Sequence, residues 1–239
     1  MAVFNSLTFD GENSLDYGVY ITGEAVYNAP ERVVDMITIP GRNGTLSLDQ
    51  GRFENITVTY PAGTFGTSQS EFASLVSNFR NALVSRYKYV RIEDDYHTDE
   101  FRLGLYKSGL EVDPVSMNRA GEFDIVFDCK PQRFLKSGEN VYTRTVSGSI
   151  NNPTLFEARP LLVVTGTGNL TVNGVQIAIS QTPTTIDCEA MEAYNGTTSR
   201  NSDIVLTPNK FPVLKPGNNT ITLGSGITKV EITPRWWRI

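Results

Sequence analysis

The chain has 239 residues, 39% hydrophobic and 20% charged, which suits a packed core and argues against both a disordered polymer and a membrane-spanning chain. Its 21 basic and 26 acidic residues give a formal charge of -5 without a Lys/Arg cluster of the kind that condenses onto phosphates, so stable nucleic-acid binding is not expected. The opening MAVFNSLTFDGENS lacks a basic segment followed by an unbroken apolar run; it reads as neither signal peptide nor anchor, and a reducing cytosol is expected.

From the N-terminus, the alternating runs VFNSLTF, YGVYI and NITVTY are separated by Gly, Asn and Pro clusters and read as strands. Between the last two lies Ile39-Pro40-Gly41-Arg42-Asn43-Gly44-Thr45, where proline ends a strand and two glycines permit a tight reversal. Two readings stand for it: a plain surface turn, or an arm reaching a neighbouring subunit, with Arg42 free to make a bidentate contact to a carboxylate there.

In SQSEFASLVSNFRNALVSR, Phe72, Leu75, Val76, Phe79, Ala82 and Leu83 fall at spacings of three and four and form one apolar stripe. Ser68 with Glu71 three residues later is a capping-box start. The spacing predicts a single helix lying on a sheet. The strands KYVRIED, FRLGLY and EFDIVFDC follow. In the last, Phe123, Ile125, Phe127 and Cys129 alternate with mostly polar neighbours, which puts the thiol on a buried face. Cys188, two residues after Ile186 in TTIDCEA, reads the same way, so both cysteines are expected to be small core residues. Residues 1–134 therefore read as one α+β domain.

The rhythm breaks at Lys136-Ser137-Gly138-Glu139-Asn140 and again at Asn151-Asn152-Pro153, and one of the two marks a domain junction. Beyond it, PLLVVT, NLTV, VQIAIS, TTIDCEA, DIVLT, NTITL and KVEIT follow with no helical period. Asn173-Gly174 supplies the positive φ angles of a type I′ turn that pairs Val172 with Val175 and Leu170 with Ile177. So many short strands imply a β-sandwich over 135–239. The fold class is mainly β.

Four stretches, FDGENSLDYGVYI (9–21), Pro40-Gly41-Arg42-Asn43-Gly44-Thr45-Leu46, Phe127-Asp128-Cys129-Lys130-Pro131-Gln132-Arg133-Phe134, and FPVLKPGNNTITL followed by Thr233-Pro234-Arg235-Trp236-Trp237, together span nearly the whole chain. In their order and spacing the chain resembles the distal tail protein family of phages with long non-contractile tails. The resemblance implies a tail-tube-like N-terminal domain, a β-sandwich or split barrel with one helix, which closes into a hexameric ring, and a C-terminal galectin-like β-sandwich outside it. It also implies a place at the tail tip of a virion assembled in the host cytoplasm, between the tail tube protein and a tail-associated lysin or fibre protein, with a receptor-binding protein as a further partner. DNA would pass through the ring without being bound. On this reading Pro40, Gly41, Arg42, Asn43 and Gly44 belong to the oligomer interface.

Catalytic constellations are scarce. One histidine and no G-x-S-x-G elbow leave a serine triad without its parts. Acidic pairs such as Glu93 and Asp94 exist, but a glycosidase needs a separation across a cleft that sequence does not show. His97, in Asp94-Asp95-Tyr96-His97-Thr98-Asp99-Glu100, has neither the bend glycine of an oxygen-ligand cation loop nor further His or Cys for zinc, so the run reads as a solvated hairpin loop. No enzyme, cofactor or metal is expected. Trp236 and Trp237 face opposite sides if they lie on a strand. One should enter the sandwich core; the other either anchors a partner or a sugar, or is covered by the N-terminal half. The rival function is a galectin-like carbohydrate-binding module.

Overall fold

A computed structural model of the chain describes residues 4–24 and 27–239; Val3, the first residue of the first expected strand, lies outside them. The chain divides into two compact units, residues 1–133 with Ile239, and Phe134–Arg238. Both are built from antiparallel strands, as the alternating patterns predict.

The first unit holds β1 (Leu7–Phe9), β2 (Glu12–Asn13), β3 (Val19–Ile21), β4 (Arg32–Thr38), β5 (Thr45–Phe53), β6 (Ile56–Phe65), α1 (Gln69–Val84), β7 (Val90–Asp94), β8 (Glu100–Tyr106), β9 (Asp113–Val115) and most of β10 (Ala120–Leu135). Its main sheet runs β2-β1-β7-β8-β10-β6-β3, with β9 also on β10. A bridge between Asn5, just ahead of β1, and Ile21 in β3 brings the far end of that order back to its start. The strands thus close on themselves like a split barrel. Leu7, Phe9, Val19, Ile21, Val58, Tyr60, Ile92, Ile125, Phe127 and Cys129 turn into one core. The period of two read in EFDIVFDC is what aims every second side chain of β10 there.

The helix begins where its cap predicts: the Ser68 hydroxyl accepts the Glu71 backbone N–H at 3.2 Å. Glu71 reaches back to the backbone N–H of Thr67 at 2.7 Å and also to its hydroxyl, one residue earlier than the simplest capping box. Phe72, Phe79, Ala82 and Leu83 are buried, with Leu75 and Val76 at the margin of the stripe. Phe79 stands between Phe9, Tyr17 and Phe123, at centroid distances of 5.9, 5.8 and 6.1 Å.

The second unit is a β-sandwich. After the end of β10 come β11 (Tyr142–Arg144), β12 (Gly148–Asn152), β13 (Leu161–Gly166), β14 (Gly168–Val172), β15 (Val175–Ile179), β16 (Thr184–Asp187), β17 (Glu192–Asn195), β18 (Thr198–Ser199), β19 (Ile204–Thr207), β20 (Gly217–Leu223), β21 (Ile227–Thr233) and β22 (Trp237–Arg238). One sheet has the order β11-β21-β13-β16-β17-β18 and the other β12-β20-β14-β15-β19. Leu162, Val164, Leu170, Val172, Ile177, Ile186, Ile221, Val230, Ile232 and Trp236 fill a single core with them. Asn173 (φ 49°) and Gly174 (φ 81°) make the predicted reversal, with Val172 opposite Val175 and Leu170 opposite Ile177.

One feature of this unit differs from the sequence reading. Asn151 and Asn152 do not break the chain: they complete β12, and the buried Asn152 amide donates to the carbonyls of Phe156 (2.8 Å) and Leu214 (3.0 Å), which satisfies its own buried donor. The Lys136–Glu139 segment is a turn of 3₁₀ helix. Its glycine is required by close approach, because a Cβ on Gly138 would stand 2.3 Å from the backbone nitrogen of Trp236.

Candidate functional site

Three places concentrate features that core packing does not explain. The first is the hairpin of β4 and β5, which pair with each other and with no other strand among the described residues. Ile37 lies opposite Leu46, Asp35 opposite Leu48, and Thr38 opposite Thr45. Residues directly across a pair share a face and alternate along a strand, so Ile37, Leu46 and Leu48 form one apolar strip, with Met36 on the reverse. All four are exposed, at 45%, 49%, 53% and 63% respectively. Pro40, Gly41, Arg42, Asn43 and Gly44 make its tip and are all exposed. Gly41 (φ 79°) and Gly44 (φ 81°) adopt left-handed angles with open space around them, so the backbone path and not crowding selects glycine. The Arg42 backbone N–H donates to Ile39 at 3.2 Å. Its guanidinium forms no ion pair among the described residues, whereas Arg32 on the same hairpin is paired with Asp49 at 2.7 Å.

The second place is the end of the sandwich. Trp236 is 1% exposed and belongs to the core, whereas Trp237 is half-buried. The Trp237 indole N–H donates to the Glu157 carbonyl at 2.8 Å, and its ring stacks on Phe156 at 4.4 Å with planes 23° apart. One face of the ring is therefore already covered by the chain itself. Just before it, Arg235 makes two hydrogen bonds to Asp187, of 2.7 and 2.9 Å. With help from the N–H groups of Ala190 and Glu189, that guanidinium pulls the Asp187 carboxyl down to about 2.

The third place corrects an expectation. The Asp94–Glu100 run is not a freely solvated loop. The Asp94 side chain is 5% exposed and that of His97 16%. Asp94 Oδ1 accepts the backbone N–H groups of Tyr96 (2.9 Å) and His97 (2.8 Å), which folds the loop back on itself and brings His97 Nδ1 to 3.0 Å from the same oxygen. Tyr60 donates to Asp94 Oδ2 at 2.9 Å. Glu24, far away in sequence, closes the group, with Oε2 3.7 Å from His97 Nδ1 and Oε1 3.3 Å from Arg102 Nη2. No local spacing could have signalled Glu24, because the sheet alone places it there.

The two cysteines are free and buried. Desolvation pushes both thiols up to about 12, so neither is a ready nucleophile.

This fold has counterparts among solved phage proteins. The chain is similar to the crystal structure of SPP1 Dit (gp 19.1), described as a paradigm of the hub adsorption apparatus in phages infecting Gram-positive bacteria: the TM-score is 0.76 and the identity 14%, over 99% of this chain and 100% of that one. A chain of the phage P2 baseplate in its activated conformation with Sr matches at a TM-score of 0.50 and 13% identity, over 99% of each chain. At such identities it is the fold that is shared. No protein-family model and no curated protein matches the sequence.

Proposed function

We propose that this chain is a structural subunit of a phage tail tip, a distal tail protein that assembles as a hexameric ring. The observation that carries the reading is the correspondence with SPP1 Dit, which runs over 99% of the chain and so takes in both units in sequence order. On this reading residues 1–134 form the ring and residues 135–239 a galectin-like domain at its rim. The ring joins the tail tube protein to a tail-associated lysin or fibre protein, and the rim is where a receptor-binding protein would dock.

A ring requires a heterologous interface, in which each copy offers one surface to one neighbour and a different surface to the other. The β4–β5 hairpin suits that demand. A two-stranded ribbon alone is marginal in water, and an exposed apolar strip on it is a liability unless something covers it. A second copy of the chain is the proposed cover. The work of such a hub is mechanical: it continues the tube and leaves a passage for DNA. Six copies at -5 each carry 6 × -5 = -30, and a wall of like sign lets DNA pass without sticking. Nothing in this role calls for catalysis.

Negative-stain microscopy of the purified chain tests the proposal directly, with six-fold rings expected. A monodisperse monomer at high protein concentration would sink it. The rival reading, a carbohydrate-binding sandwich, draws on the half-buried pair of Phe156 and Trp237, an aromatic surface of the kind sugars stack on. Glycan-array binding abolished by Trp237→Ala, from protein that forms no rings, would favour it.

A further inference from the structure

We infer that Glu24, Asp94 and His97 form a binding site for a first-row transition dication of the Zn²⁺ type. One donor atom from each lies within 4.8 Å of the other two. The site is assembled from three separate stretches: the segment following β3, the end of β7, and the turn between β7 and β8. Acidic residues gather on many surfaces, and their proximity alone carries nothing. The decisive atom here is Glu24 Oε2. Its side chain is 1% exposed, and this oxygen is buried without a hydrogen-bond partner while facing His97. A buried carboxylate oxygen deprived of both water and a donor is costly, and a positive centre relieves that cost.

The remaining lone pairs are already assigned, as expected around a ligand set. Arg102 Nη2 holds Glu24 Oε1 at 3.3 Å and Tyr60 holds Asp94 Oδ2 at 2.9 Å; Glu24 Oε2 faces His97 Nδ1, as does Asp94 Oδ1, which also accepts the backbone N–H groups of Tyr96 and His97. Such outer contacts fix ligand orientation. Tyr27 lies edge-on to the imidazole at 5.8 Å. Two carboxylate oxygens and one imidazole nitrogen are a borderline donor set, suited to Zn²⁺ and unlike the all-oxygen shells of Ca²⁺ or Mg²⁺. Bonds of about 2.0–2.1 Å in a tetrahedral arrangement place donors roughly 3.4 Å apart. The Nδ1 separations of 3.0 Å from Asp94 Oδ1 and 3.7 Å from Glu24 Oε2 lie on either side of that distance. Three protein ligands leave a fourth position for water.

Two carboxylates and Arg102 leave the group with one net negative charge when the imidazole is neutral. That is weaker attraction than a cysteine-rich structural site offers, so the ion binds reversibly. Its consequence is mechanical: it ties Glu24, just after β3, to the β7–β8 turn.

The test uses the untagged full-length chain, stripped with a chelator and titrated calorimetrically with ZnCl₂, with CaCl₂ and MgCl₂ in parallel. One Zn²⁺ per chain is expected, with at least a tenfold loss of affinity in both Glu24→Gln and His97→Ala, and a metal-dependent rise in melting temperature confined to the wild type. Co²⁺ substitution should give the visible absorption of a site with low coordination number, which is lost in both variants. If His97→Ala does not fold by circular dichroism, the isosteric Glu24→Gln decides alone. Absence of saturable binding, preference for Ca²⁺, or equal affinity in wild type and Glu24→Gln (an adventitious ion only) overturns the assignment.

Discussion

Arg235 and Asp187, 48 residues apart in sequence, are joined by a two-pronged hydrogen-bonded ion pair that ties the last stretch of the chain to the end of β16. Asp187 titrates at about 2 in the folded protein against an ordinary 3.8. A depressed carboxylate contributes stability that is present above its unfolded pKa and is lost as pH falls through the folded value. Asp187→Asn should therefore destabilise the sandwich by about 1–2 kcal/mol near neutral pH, allowing for a pair partly open to water. The gap should close between about pH 4 and about pH 2. Urea denaturation of both proteins across that range checks it, and a gap that persists unchanged at the acid end would mean the pair contributes nothing through its charge.

A second expectation concerns α1. Phe79 is fully buried among three aromatic neighbours, whereas Val84 on the same helix is 61% exposed. Phe79→Ala should cost about 3–5 kcal/mol through lost burial and the cavity left behind. Val84→Ala should stay within roughly 0.5 kcal/mol. Chemical denaturation followed by near-ultraviolet circular dichroism separates the two, and equal midpoints would show that the helix contributes little to the first core.

Much of this fold could be read from the sequence because its signals are local. The period of two in EFDIVFDC, the stripe on α1, its Ser68 cap and the Asn173-Gly174 turn each depend on residues within a few positions of one another. What escaped depends on residues far apart. Asn152 looked like a break because its amide's acceptors, the carbonyls of Phe156 and Leu214, are visible only once the strands are paired. His97 looked solvated because Glu24 reaches it through the sheet. Which of Trp236 and Trp237 enters the core is not legible in TPRWW, and nothing there announces that Phe156 lies against Trp237.

The boundary of the second unit leads to a third expectation. Leu135 and Tyr142 pack against the sandwich core, the Leu135 N–H donates to the Trp236 carbonyl at 2.8 Å, and β11 forms the edge of a sheet beside β21. A fragment of residues 134–239 should be soluble, rich in β structure and cooperative in unfolding. A fragment that starts at residue 150 discards the end of β10, the Gly138 crossing and β11, and should melt lower by roughly 5 °C or more. Equal melting temperatures for the two fragments, or aggregation of the longer one, would refute an independent core that begins at Phe134.

The last expectation is that assembly depends on the β4–β5 hairpin. Its tip presents Arg42 without an ion pair among the described residues, and its strands present Ile37, Leu46 and Leu48 to solvent. In a ring, both features would be covered by the next copy, the guanidinium facing an acidic group and the strip facing apolar surface. Arg42→Glu turns attraction into repulsion and leaves the partner carboxylate without its counter-ion, at about 3–5 kcal/mol per interface if the pair is buried. Leu46→Ser with Leu48→Ser removes apolar contact instead, at roughly 1.5–3 kcal/mol for each side chain fully buried there. A closed ring repeats each loss six times, so either variant should elute as a folded monomer by light scattering with an unchanged circular-dichroism spectrum. The two fail for different reasons, and salt tells them apart: high ionic strength should partly restore assembly of Arg42→Glu by screening, but not of the double serine variant. If both variants still form full rings, the hairpin is a surface ornament, and the interface must be sought on the sheet edges at β2 and β3 or on the exposed face of α1.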